Sequence, residues 1–257
     1  MKMMKCVLAL CAVATLSYGH FPWIHSDGFS LSPNSNVRMY VGWGHGFPFG
    51  AFMDSSQVDN LQITGPNGAV SATFENSHRF AADDRVREEG VYFLSAERPA
   101  SYYSQTTEGG QRGSKEDLAD EFHVRSCTYT HSFMKALVNV GQPQYGYDIP
   151  VGHDFEVIPQ KNPLHLSQGD VLPVVVLLHG EPVAAEINAT YAGYSRVSTD
   201  DDFVYETSTD ETGTATIPLS SHGVWLLEVV LEQGYADTDV CDIERFRSVL
   251  TFEVPGN

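Results

Sequence analysis

The chain has 257 residues, enough for one large or two small domains, and carries 33 Asp and Glu against 15 Lys and Arg, a formal charge of −18. Nucleic acids and anionic membranes reward clustered positive charge, so this balance excludes them as partners and leaves cationic ones, a metal ion among them. The hydrophobic share of 42% is ordinary for a folded, water-facing protein.

The predicted elements begin with a leader. Residues 1–5 are short and basic, and residues 6–16 form an apolar run of secretory length that is too short to span a bilayer. Ser17-Tyr18-Gly19 supplies small residues where signal peptidase reads, which assigns 1–19 to a signal peptide and makes His20 the new first residue. Cleavage removes Lys2 and Lys5, leaving 13 Lys and Arg against 33 carboxylates, or −20. It also removes Cys6 and Cys11; Leu10 stands where a lipobox needs a small residue. Cys127 and Cys241 remain. In an oxidising compartment they read as one disulfide, because no C-x-x-C spacing supports a thiolate metal site. The expected location is the periplasm or the exterior, with no membrane span left after cleavage.

After the leader, turn-punctuated β-prone runs dominate. Residues 37–43 read as a strand ending in a Gly-rich turn. Residues 60–64 and 69–74 flank Gly65-Pro66-Asn67-Gly68 as a hairpin. Residues 90–96 and 132–140 are further strands. A helix is expected at 114–122, with Ser114 as cap and Asp117 three positions on. The Gly, Pro and Tyr-rich stretch 141–152 marks a boundary between residues 20–145 and 146–257. Beyond it, strands are read at 154–159, 171–178, 183–191, 204–207, 214–219, 222–232 and 247–254, with turns at 179–182 and 210–213. The fold class is all-β: two β-rich domains, the second an immunoglobulin-like, Greek-key β-sandwich.

Ten histidines are many for this length. A terminal His20 would present an α-amine and an imidazole on one residue, nitrogen donors suited to late first-row divalent metals. In His20-Phe21-Pro22-Trp23-Ile24-His25, the apolar residues would anchor the terminus. Pro22 lacks an amide proton, which removes the square-planar motif built on backbone amides. In Gly42-Trp43-Gly44-His45-Gly46-Phe47-Pro48-Phe49-Gly50, four glycines surround His45 on a tight, aromatic-walled loop. His20 and His45 are the first metal candidates, followed by His25 and His153. His123 and His131 sit eight apart around Cys127, on one face if they share a strand. His78, His165, His179 and His222 read as turn or surface residues, and Met53 as core. Asp83-Asp84 and Asp200-Asp201-Asp202 lack EF-hand spacing and read as solvated loops. Asn188-Ala189-Thr190 matches a glycosylation acceptor but falls within an expected strand. No G-x-S-x-G, H-E-x-x-H or phosphate-binding Gly loop occurs, so no catalytic residue is assigned.

These features resemble a bacterial periplasmic family, the domain of unknown function 4198, of the nickel-uptake NikM or NikK type. The resemblance rests on His20-Phe21-x-Trp23 directly after the leader and on Tyr40-Val41-Gly42-Trp43-Gly44-His45-Gly46-Phe47-Pro48. It extends through Tyr102-Tyr103-Ser104 with Thr107-Glu108-Gly109-Gly110, and through Gly152-His153-Asp154-Phe155-Glu156-Val157-Ile158-Pro159 with Leu166-x-x-Gly169-Asp170-x-Leu172-Pro173. It ends with Thr190-Tyr191-Ala192-Gly193-Tyr194, Thr209-Asp210-x-x-Gly213-x-Ala215 and Gly223-Val224-Trp225-Leu226-Leu227. Trp43 stands two positions before His45 where the family often has a denser His-Gly-His. The resemblance implies a periplasmic protein that binds Ni(II) or Co(II) at His20, His45 and His153 and helps pass the ion to a membrane transporter. It also implies a second half like the carboxypeptidase-regulatory-like sandwich. The Irving–Williams order would itself favour Cu(II) at such nitrogens. The expected function is therefore non-enzymatic metal binding. A copper histidine-brace protein or oxidative enzyme, and a structural or adhesive sandwich without metal, are the alternatives.

Overall fold

The computed structural model describes residues 20–70, 72–82, 86–194 and 203–256. The leader at 1–19 and the acidic pairs and runs at Asp83-Asp84 and Asp200-Asp201-Asp202 lie outside the described residues.

In chain order the first half carries β1 (Phe21–Ser26), β2 (Ser30–Leu31), β3 (Arg38–Gly46), β4 (Phe49–Phe52), β5 (Asp59–Gly65), β6 (Gly68–Val70), β7 (Ala72–Phe74), β8 (Phe80–Ala82), β9 (Gly90–Thr106), β10 (Gly109–Arg112), α1 (Lys115–Leu118) and β11 (Val124–Val140). The second half carries β12 (Phe155–Pro159), β13 (Val171–Leu178), β14 (Glu181–Pro182), β15 (Glu186–Tyr191), β16 (Tyr205–Ser208), β17 (Thr214–Pro218), β18 (Gly223–Gly234) and β19 (Ile243–Val254). The fold is all-β, as expected.

A ten-stranded sheet runs β16-β15-β18-β19-β11-β9-β5-β6, with β10 on β9 and β2 on β11. Side chains alternate across it. On β11, Phe133 and Leu137 face one core, while Met134, Ala136 and Val138 face another. Such a strand is buried on both sides and reads as a nearly continuous apolar run. The first core lies against the four-stranded sheet of β12, β13, β14 and β17; together with β15, β16, β18 and β19 it makes the sandwich of the second half. The second core lies against a five-stranded sheet, β1-β3-β8-β7 with β4 on β3. Strands from both sides of 141–152 share the large sheet, because β11 pairs β19 in parallel from Thr128↔Ile243 to Ala136↔Thr251.

Local signals explain several boundaries. The cap at Ser114 is present, with Ser114 and Asp117 exchanging backbone bonds in a capping box, but α1 runs for only four residues. None of them is buried, and a cap without an apolar face does not extend a helix. The 69–74 strand divides: β6 pairs β5 in the large sheet, whereas β7 pairs β8 in the five-stranded one. Cys127 and Cys241 form the expected disulfide, linking the outer ends of β11 and the β18–β19 connection. No helix among the described residues is long and apolar enough to cross a membrane.

Candidate functional site

β1 is the edge of the five-stranded sheet, paired antiparallel to β3 from Phe21↔Gly44 to Ser26↔Met39. Carrying that register one residue outward places His20 opposite His45. Their ring centroids are 4.1 Å apart, inclined at 48°, and the Trp43 ring lies 5.7 Å from His20. His20 is exposed and His45 partly buried.

The other edge of β1 is tied to the large sheet by side chains. Arg247 Nη1 donates to the His20 carbonyl at 2.8 Å, and Thr251 Oγ1 donates to the Ile24 carbonyl at 2.6 Å. Arg247 is itself buried and paired with buried Glu228, Nε to Oε1 at 2.8 Å. These bonds fix the backbone of His20, so its ring is carried on a clamped strand rather than a loose arm.

The His45 loop depends on glycine. A Cβ on Gly42 would lie 2.3 Å from the Trp23 ring, and one on Gly50 would lie 2.5 Å from the Trp43 carbonyl. Trp23 fills the space these glycines leave, 1% exposed, and packs edge-on against Phe47 at 5.7 Å. The expected anchoring by Phe21, Trp23 and Ile24 is present, since all three are buried.

The other two ligand candidates lie elsewhere. His25 is five residues along β1 from His20, about 17 Å on an extended strand. It stacks on Tyr40 at 4.9 Å, and burial lowers its pKa against the opposing pull of Asp27. His153 packs on Phe133 at 5.3 Å, on the face of the large sheet that looks toward β12 and β13, away from His20 and His45. Its Nδ1 is buried with no hydrogen-bond partner among the described residues, and burial pushes its pKa down to about 4. Beside it, the ammonium of Lys135 meets the Glu156 carboxylate at 2.5 Å, and that carboxylate accepts the amides of Val151 and Gly152. Among the described residues no three His, Cys, Asp or Glu side chains converge on one metal-sized point. The disulfide removes Cys127 and Cys241 as ligands. His131 bonds Glu244 at 3.0 Å and stacks on Phe246, while Met53 is core. Asn188 is buried in β15, with its amide directed to Glu228, so the acceptor motif is closed to modification in the folded chain.

Sequence reasoning missed the arginines around the histidine pair. The Arg98 guanidinium lies 4.8 Å from the centroid of Trp43, on its ring face. Burial lowers its pKa, as do the charges of Arg112 and Arg247. The signal was available only as an oddity: Arg98 follows the apolar start of β9 in an acidic chain.

Fold and site together define a layered β-sandwich protein that presents a histidine pair at the rim of its five-stranded sheet. The chain belongs to the family described as Domain of unknown function (DUF4198), whose model matches residues 17–233. No curated protein matches the chain. Among solved structures it is similar to a Salmonella alpha-2-macroglobulin mutant, at 14% identity and TM-score 0.26 over 91% of this chain and 15% of that one. It is also similar to the mouse nectin-like molecule 4 ectodomain, at 12% identity and TM-score 0.21 over 92% and 65%. Fibronectin(III)-like modules of Clostridium thermocellum CbhA follow at 9% identity and TM-score 0.19 over 88% and 93%. The chain thus spans about a seventh of the length of the first of these.

Proposed function

We propose that this is a periplasmic protein that binds a divalent transition metal, Ni(II) or Co(II), and serves a membrane transporter for that ion. His20 would supply its α-amine and its imidazole, and His45 a second imidazole. The reading requires export and cleavage after Gly19, because the amine exists only if His20 is the first residue.

The single observation that carries this reading is the 4.1 Å approach of the His20 and His45 rings on a strand clamped by Arg247. With metal–nitrogen bonds of about 2.1 Å, two imidazoles on one ion at that separation would subtend roughly 80°, adjacent corners of an octahedron or square. A copper brace with its two rings on opposite sides of the ion would need them to separate to about 6 Å. The close approach therefore supports adjacent imidazoles on one ion over a brace with opposed rings. All three donors must be deprotonated to bind, so affinity falls as pH drops.

Equilibrium dialysis of the tag-free mature protein against Ni, Co, Cu and Zn tests the proposal, with intact mass fixing the first residue and the stoichiometry. One ion per chain, lost in His45→Ala, is the expected result. A chain starting elsewhere than His20, or no metal bound more tightly than micromolar, refutes it and leaves the structural or adhesive reading. Reductant-dependent peroxide turnover by the copper-loaded form would move the assignment to the oxidative enzyme.

A further inference from the structure

The surroundings of the histidine pair carry positive charge of their own. Amine and imidazole donors are neutral, so a bound dication keeps its full charge. Arg98 lies over Trp43, which itself borders His20. Arg247 is at the His20 carbonyl, its own charge met by Glu228. Arg112, on β10 opposite Tyr103 of β9, is exposed and adds its field to the same place. Among the described residues no carboxylate comes within ion-pair distance of Arg98 or Arg112. In a chain with 33 Asp and Glu against 15 Lys and Arg, guanidiniums with no ion-pair partner among the described residues make room for an anion from outside.

Next to the pair, β9 runs for 17 residues and its outer part pairs with β10. Alternation from the buried Leu94 and Ala96 puts Arg98 on the same face, and Tyr103, opposite Arg112, is 48% exposed. A guanidinium held over an indole suits a planar carboxylate, which it binds through two parallel hydrogen bonds.

We propose that the ion is taken as a complex with a carboxylate-bearing chelator: His20 and His45 bind the metal, and Arg98, assisted by Arg112, binds the chelator's free carboxylate beside Trp43. This rests on the metal reading above and names its substrate class. The partly filled coordination shell left by three protein nitrogens is where the chelator's other oxygens would sit.

Titration calorimetry of the mature protein, with Ni(II) alone and with Ni(II) premixed with citrate, tests both levels. Each is run on the native chain, Arg98→Gln, Arg98→Lys and Arg112→Gln. The metal-only arm judges the histidine site and the citrate arm judges the co-ligand. After correction for citrate's own hold on nickel, the ternary complex should form at least tenfold more tightly than the metal alone predicts. That gain should disappear in Arg98→Gln, shrink in Arg112→Gln and partly survive in Arg98→Lys. If citrate only competes, to the same extent in all four proteins, the co-ligand proposal fails while the metal site stands. If nickel binds in neither arm, the histidine site fails as well. A misfolded Arg98→Gln is recognised by its circular dichroism, and the two milder variants then decide.

Discussion

Lowering the pH from 7 to 4.5 should destabilise the protein through His153, and the size of the effect follows from its surroundings. The imidazole is packed on Phe133 with Nδ1 buried and unpartnered among the described residues. Burial depresses its pKa from 6.5 to about 4; Glu156 and Asp154 oppose the shift and Lys135 adds to it. In the unfolded chain the ring takes up a proton near pH 6.5, whereas in the folded chain it does so only near 4. The unfolded state therefore binds more protons between those values, and stability falls as pH drops through that window. The contribution is intact above about pH 7, has lost roughly 2–3 kcal/mol by pH 4.5, and levels off near 3 kcal/mol below pH 4.

Urea unfolding at half-unit steps from pH 7.5 to 4.5 measures this, comparing the native chain with His153→Leu and His153→Gln. Glu156 acts in the same direction. Burial would raise its pKa, but the Lys135 charge and the Val151 amide bring it below the ordinary range, so its contribution is lost only as pH falls below about 4.5. The difference between native and variant curves isolates the histidine. Superimposable slopes between pH 6.5 and 4.5 would falsify the assignment of His153 as a buried neutral ring. A native chain gaining stability with nickel in a His153-dependent way would restore it as a ligand.

His45→Ala should weaken nickel or cobalt binding at least tenfold, about 1.4 kcal/mol, in equilibrium dialysis, while His25→Ala leaves it within twofold because His25 is stacked on Tyr40 well away from the pair. Glu156→Gln should cost about 3–5 kcal/mol in urea unfolding by stranding the fully buried Lys135 charge, and the double change Lys135→Met with Glu156→Leu should cost less than that single change. Replacing Cys127 and Cys241 with Ala should cost at most about 5 kcal/mol, the chain-entropy ceiling for a bridge across 114 residues; a cost near zero would mean that strand pairing alone holds the β11–β19 end together. Gly42→Ala should broaden or abolish Trp23 packing, read as a shift in tryptophan fluorescence, since its Cβ would sit 2.3 Å from that ring.

The second half was legible because its strands carry their own evidence. Residues 171–178 and 222–232 are apolar runs between turn residues, and they became β13 and β18 with little change. The first half was harder for a physical reason. β9 and β11 each run for 17 residues, but only their inner portions are buried on both faces. The outer portions carry Arg98, Pro99, Ser101 and the tyrosines of a half-exposed shelf, where strand identity comes from pairing with a neighbour rather than from alternation. β1 was invisible as a strand because Phe21, Pro22, Trp23 and Ile24 are all buried: each face of an edge strand packed between sheets is covered, so no period remains. The helix at 114–122 failed in the opposite way, its cap correct and its continuation lacking any apolar stripe to pack.

The candidate site shows the same division between local and distant information. His20 and His45 were singled out from their own neighbourhoods, one by a cleavage position and one by four surrounding glycines. What those neighbourhoods do not contain is the β1–β3 register that brings the rings together, nor the reach of β9 and β19 across to them. His153 had comparable credentials, following a glycine in a motif-rich stretch, yet the central sheet puts a core between it and the pair. Arg98 and Arg247 had none, and they clamp and charge the site. A ligand set drawn from separated strands is fixed by pairing, so residue type nominates candidates and only topology selects among them.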